Sequence, residues 1–109
     1  MAIDQNSVNV VGRLTADPVL KYTQSGKGVC EFSIANNRTF GEKENVYFFN
    51  CVAWGKVAEV VSEHLRKGHQ VAVSGNLEQR RWETDEGAKR SIIQIVAREV
   101  QFLSRPKGE

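Results

Sequence analysis

Neither cysteine nor charge of one sign is plentiful in this chain of 109 residues. The two cysteines, Cys30 and Cys51, stand far apart with no CxxC spacing. That leaves room for one bridge at most and does not match the close ligand pairs of structural zinc sites. A pair of buried, reduced thiols fits better, with His64 and His69 as surface residues and no metal. No apolar run approaches the ~20 residues that cross a bilayer. The opening Met1-Ala2-Ile3-Asp4-Gln5-Asn6 lacks the basic and apolar parts of a secretory signal. The expectation is a cytoplasmic protein with no membrane partner. Formal net charge is only +2, from 15 Lys and Arg against 13 Asp and Glu. Binding of duplex phosphates by charge alone is thereby excluded, and any nucleic-acid affinity must use local basic patches and non-ionic contacts. Catalytic signatures are missing too: there is no GxSxG, HExxH or P-loop pattern. Asp85-Glu86 and Glu42 with Glu44 are acid pairs in polar stretches, where solvated turn residues are the simpler reading. No enzyme, catalytic residue or cofactor is expected.

Hydrophobic content of 40% and charged content of 26% suit one globular domain. Residues Asn6 to Leu14 alternate as a strand, with Gly12 at a packed position that suggests a bulge or barrel corner. Asp17-Pro18 turns the chain, and Leu20 to Thr23 extends an edge before the Ser25-Gly26-Lys27-Gly28 turn. A second strand, Val29 to Asn36, puts Cys30, Phe32 and Ile34 on one face. Asn37 to Asn45 reads as a long connection, and Val46 to Trp54 as the third strand. From Lys56 to Lys67 the period becomes helical through Val57, Val60, Val61 and Leu65, with Gly68 as the stop. Gln70 to Gln79 is a fourth strand through Gly75, Arg80 to Arg90 a charged loop, and Ser91 to Leu103 a long fifth strand. The strands look too short and too few for an immunoglobulin-like sandwich. The order β-β-β-α-β-β with in-strand glycines predicts an all-β OB-fold, a five-stranded partly open Greek-key barrel with one short helix between its third and fourth strands. Sandwich and meander alternatives stay open. The barrel domain is expected over residues 1–104, with a short tail over 105–109.

Of two Trp, two Tyr and five Phe, most crowd into residues 40–54: Phe40, Tyr47, Phe48, Phe49 and Trp54. On a straight strand Phe48, Asn50, Val52 and Trp54 share one face, while Tyr47, Phe49, Cys51 and Ala53 share the other and suit a tight interior. The first face is either an open binding surface or is packed under a loop or another subunit. Trp82 follows Arg80-Arg81 in a polar loop, where guanidinium groups meet phosphates and an indole takes a base; a loop anchor is the plainer alternative. Arg38, Lys43, Lys56, Lys89 and Arg90 either add charge to a groove or are ordinary solvated side chains.

Taken together, these segments resemble the DNA-binding domain of bacterial single-stranded DNA-binding proteins. The matching stretches are Asn9-Val10-Val11-Gly12-Arg13-Leu14 with Asp17-Pro18, and Val52-Ala53-Trp54-Gly55-Lys56 with Ala58-Glu59. Leu65-Arg66-Lys67-Gly68 and Val73-Ser74-Gly75-Asn76-Leu77 leading to Arg80-Arg81-Trp82 complete them. The resemblance implies an OB-fold homotetramer that coats and protects nucleoid single-stranded DNA, without sequence preference, during replication, recombination and repair. It carries the family's stacking aromatics onto Phe40, Phe48, Trp54 and Trp82, two of which replace a customary Trp by Phe. Family members usually continue into a Gly-, Pro- or Gln-rich linker and an acidic tip that recruits replication and repair proteins. The sequence stops at Arg105-Pro106-Lys107-Gly108-Glu109, so strand binding is expected without that recruitment, in a trimmed domain or a short variant. Two rivals stand beside it: an OB-type primosome or RNA-binding accessory module, and a protein-interaction domain whose outward rings form a subunit interface.

Overall fold

The structure is a computed structural model that describes residues 3–105; of the expected tail, 105–109, all but Arg105 lies outside the described residues. Its strands are β1 (Val8–Leu14), β2 (Val19–Tyr22), β3 (Gly28–Phe40), β4 (Lys43–Trp54), β5 (Gln70–Glu83) and β6 (Lys89–Ser104), with helix α1 (Gly55–His64) between β4 and β5. They form one sheet in the order β1-β5-β6-β4-β3-β2, which β1 closes by pairing back onto β3. The result is a closed five-stranded barrel, the OB-fold, with β2 flanking β3 outside the ring.

Closure requires β1 to serve two neighbours. Val8 to Arg13 pair with Gly75 to Gln70 of β5, and then Arg13 and Leu14 pair with Ala35 and Ile34 of β3. At the crossing point a Cβ on Gly12 would stand 2.8 Å from the Ala35 carbonyl oxygen, so only glycine lets the two backbones meet. Gly75 marks the other sharp corner. The β5–β6 register slips between Ser74 and Gly75, and a Cβ there would fall 1.8 Å from the Val96 oxygen. Both bends expected from the in-strand glycines are therefore present.

Inside the ring, alternate residues of each strand meet: Leu14, Cys30, Phe32, Ile34, Cys51, Ala53, Val71, Val73, Ile95 and Ala97. Helix α1 plugs one end with Ala58 and Val61, and Leu65 follows them into the same core. The helix stops at His64, not at the expected Lys67, because Leu65 turns to extended backbone (φ −103, ψ 146) to reach that core. Arg66 then folds back, its Nη1 donating to the carbonyls of Ser62 (2.8 Å) and Leu65 (2.6 Å), which caps the helix end with a cation. Gly68 binds elsewhere, donating its N–H to the Leu14 carbonyl at 2.8 Å.

The expected long connection after Asn36 is strand. β3 runs to Phe40 and β4 starts at Lys43, so only Gly41 and Glu42 make the turn, Gly41 taking φ +59 as the first central residue. Arg80 to Arg90 is likewise mostly strand, broken only by a turn in which Thr84 N–H donates to the Ala88 carbonyl at 2.8 Å. β3, β4 and β5, at 12 to 14 residues, are longer than expected, β6 is the long last strand that was expected, and two hairpin arms outrun the barrel.

Cys30 and Cys51 are buried and unbridged. Burial pushes the Cys51 thiol up to about 12, and burial, with a smaller push from the Glu31 charge, raises that of Cys30. Two outcomes follow. Gly75→Ala, which forces β5 off the Val96 carbonyl, lowers unfolding free energy by about 3 kcal/mol in a urea titration. Below the ordinary thiol value of 9.0, Cys51 stays protonated in both states and its contribution is intact. Above it the unfolded chain ionises first, so stability falls by about 1.4 kcal/mol per pH unit toward the folded value. Urea midpoints between pH 8 and 11 decline less steeply in Cys51→Ala than in the parent.

Candidate nucleic-acid interface

Directly opposed residues of an antiparallel ladder share a face, so register decides which side chains meet. On the outer face of β3 and β4 the pairs are Val29 with Trp54, Glu31 with Val52, Ser33 with Asn50, and Ala35 with Phe48. The opposite face carries Cys30, Phe32 and Ile34 into the core and, beyond the barrel, Arg38 and Phe40. β4 pairs in parallel with β6 over Cys51–Ala53 and Ile95–Ala97 only. The β3–β4 and β5–β6 arms part company past that ladder. On the second arm, Arg80 opposes Ile92 and Trp82 opposes Arg90.

Between the arms lies a groove of about 640 Å³. Its floor is Glu31, Ser33, Asn50 and Gln94, and one wall is Arg80, Trp82 and Ile92. The loop after β1 supplies Thr15 to Asp17 on another side, with Val19 of β2 beside it. Asp17 is already engaged, its Oδ1 accepting the Lys67 N–H at 2.8 Å. At the two ends of this face along β4 stand Trp54 and Phe48, about 20 Å apart by strand rise.

The four candidate rings are open to solvent: Phe40 is 55% exposed, Phe48 67%, Trp54 41% and Trp82 46%. Phe48 and Trp54 share the outward face, Cys51 and Ala53 are sealed inside, and Phe49 packs against the core, as the alternation implies. Phe40 and Trp82 are strand residues, not loop residues. Phe40 sits at the tip of its arm on the face opposite Phe48, with the Arg38 guanidinium 4.7 Å from its ring centroid and Lys43 directly across. Those three form a separate tip cluster.

The remaining cations divide. Arg80 faces the groove, and Arg90 lies across from Trp82 on the same face. Arg81 and Lys89 alternate to the other face, where Arg81 Nη2 donates to Gln79 Oε1 at 2.6 Å. Lys56 points away altogether, lining a shallow recess between α1 and β6 with Val60, Arg98, Glu99 and Phe102. Two cations beside Trp54 were missed. Lys27 Nζ hangs 5.6 Å from the centre of its ring, and Lys21 faces Val29, which faces Trp54. No local motif marks either lysine; only the pairing of β2 with β3 brings them there. Among the described residues, no three His, Cys, Asp or Glu side chains gather as metal ligands.

Chemically, this is a surface of separated flat rings, flanking cations and hydrogen-bonding floor groups. Such a surface stacks planar aromatic groups on a polyanionic thread.

Comparison with known proteins agrees with the geometry. The model of the "Single-strand binding protein family" matches residues 5–103. The single-stranded DNA-binding protein of Treponema pallidum is 50% identical over 96% of this chain and 61% of its own length. That of Aquifex aeolicus is 44% identical over 94% and 73%, respectively. The chain thus spans roughly three-fifths to three-quarters of these relatives. Among solved structures, the Plasmodium falciparum SSB complex with ssDNA matches with a TM-score of 0.87 at 25% identity, covering 95% of this chain and 99% of that one. Because both indoles are half open, acrylamide quenches the emission of the free protein close to the efficiency seen for a solvated indole. Quenching as weak as that of a core indole would contradict the exposed placement.

Proposed function

The chain belongs to the single-strand binding protein family, and from that premise we propose that it coats unpaired DNA by stacking bases on its exposed rings. Trp54, Phe48 and Trp82 take bases along the outer face and groove, and Phe40 extends the path around the tip of the first arm. Arg80, Arg90, Arg38 and Lys43 meet phosphates, as do Lys21 and Lys27, while Arg81, Lys89 and Lys56 act from other faces where a longer strand wraps. The observation that carries this reading is the exposure of large rings in a small domain with a filled core, since burying them would otherwise be worth about 1.5–3 kcal/mol each. The role is protection of single strands during replication, recombination and repair, with no chemical step and no cofactor.

The assembly we propose is a homotetramer. Leu77, Ile93 and Tyr47, on the faces of the arms turned away from the groove, are open in the single chain and support contacts between copies. The buried, unbridged thiols suit a reducing compartment such as the cytoplasm. No helix among the described residues is long and apolar enough to cross a membrane.

Titration of indole emission with oligo(dT) tests the proposal. Trp54→Ala and Trp82→Ala each lose about 1–3 kcal/mol of binding, roughly five- to 150-fold in Kd, at unchanged thermal midpoint. Parent-like affinity in both variants overturns the stacking model, and tighter binding of oligo(rU) than of oligo(dT) favours an RNA-binding accessory role instead.

A further inference from the structure

One large ring stands open and takes no part in the strand path so far. Tyr22 is 60% exposed, more than Trp54 at 41% or Trp82 at 46%. It ends β2, Gly28 opens β3 and Trp54 closes β4, so the three stand at one end of the barrel. Tyr22 lies directly opposite Gly28, and the next residue, Val29, lies opposite Trp54. A Cβ on Gly28 would stand 3.6 Å from Tyr22 Cε1, 3.6 Å from Leu20 Cδ1 and 3.8 Å from the Gly55 carbonyl oxygen. The ring thus leans on bare backbone beside two glycines, and the rest of it faces water. A ring laid over a glycine of the neighbouring strand stabilises a sheet. Any apolar side chain would serve for that cover, so cover alone does not call for an aromatic one.

Two features suit this ring to a planar partner. The first is a fixed position. In the turn that follows it, Thr23 N–H donates to the Lys27 carbonyl at 2.9 Å, Gly26 N–H to the Thr23 carbonyl at 2.8 Å and Lys27 N–H to Thr23 Oγ1 at 3.2 Å. The second is what lies between the phenol and the indole. Lys27 leaves that turn with its Cε 3.9 Å from where a Gly55 Cβ would be and its Nζ 5.6 Å from the Trp54 ring centre. A ring, a cation and a second ring therefore follow one another across two strand spacings, about 10 Å. Tyr22 projects from the face opposite to Lys21 and Trp54, but the ladders stop here, so a thread rounds the barrel end without crossing paired backbone. Resting on the strand-binding reading above, we propose that Tyr22 is a further base-stacking residue, which takes the strand from Trp54 past Lys27 and around the barrel end toward α1. Stacking on a phenol ring tolerates any base, as it does at the other rings.

The test is a fluorescence titration of the parent, Tyr22→Phe and Tyr22→Leu with an oligo(dT) long enough to span the barrel, Trp54 and Trp82 reporting in each. Tyr22→Phe binds like the parent. Tyr22→Leu keeps an apolar cover over Gly28 and the parent's urea midpoint, yet weakens binding about fivefold to tenfold, the low end for one stacked base. A second measurement uses the parent itself: saturating oligo(dT) blocks nitration of Tyr22 by tetranitromethane, read by peptide mass. Should Tyr22→Leu shift the urea midpoint, nitration of the parent decides. Parent-like affinity in Tyr22→Leu, or nitration of Tyr22 that saturating oligo(dT) leaves unchanged, overturns the proposal alone. No binding by the parent overturns the strand-binding reading and this proposal with it.

Discussion

Everything that shapes the groove depends on the two-residue ladder by which Arg13 and Leu14 reach Ala35 and Ile34. Without it the sheet would be an open ribbon, and β3 and β5 would be free to move relative to each other. The closure rests on a missing side chain at Gly12 and is braced from behind. Leu14 N–H donates to the His69 carbonyl at 3.0 Å, and Arg13 Nη1 donates to the Gly68 carbonyl at 2.9 Å. The turn after α1 is thus fastened to the strand that closes the ring. The N-terminal side is held by an imitation of the same ladder. Asn6 exchanges two hydrogen bonds of 2.8 Å with the Leu77 backbone, its carboxamide standing in for a peptide group.

Outside the ring, the balance of forces reverses. The interior is apolar and filled, with no buried polar or charged residue among those described, and its stability comes from burial. The arms have no interior of their own: both faces meet water, and backbone pairing, with a few side-chain contacts such as Arg81 to Gln79 and Arg38 to Phe40, holds their rings, cations and amides in place. A modest net charge suffices because the cations are placed where register puts them. Lys27 over Trp54 and Arg38 over Phe40 are each matched with a ring, not scattered evenly.

This division explains which parts could be read from the residues. Where a strand has one wet and one dry face, period-two alternation is informative, and Cys30-Phe32-Ile34, Val71-Val73 and the split of Phe48 and Trp54 from Cys51 and Ala53 follow from it. Past the barrel the alternation has nothing to bury. Asn37 to Asn45 and Arg80 to Arg90 then look like loops although they are paired strand, and Phe40 and Trp82 were placed in loops for that reason. The helix end was set by Leu65 seeking the core, a tertiary demand that outweighs the Gly68 signal. Lys21 and Lys27 were invisible because cross-strand register is not a local property. Lys56 was assigned to the groove by its neighbour Trp54, but the first turn of α1 swings it to the other side.

The brief parallel ladder between β4 and β6 has a mechanical meaning. Three residues on each side join the two long ribbons directly, so each ribbon projects as a cantilever from Cys51–Ala53 and Ile95–Ala97. The gap between them is the groove. A thread lying across it would bridge two tips that no ladder among the described residues joins.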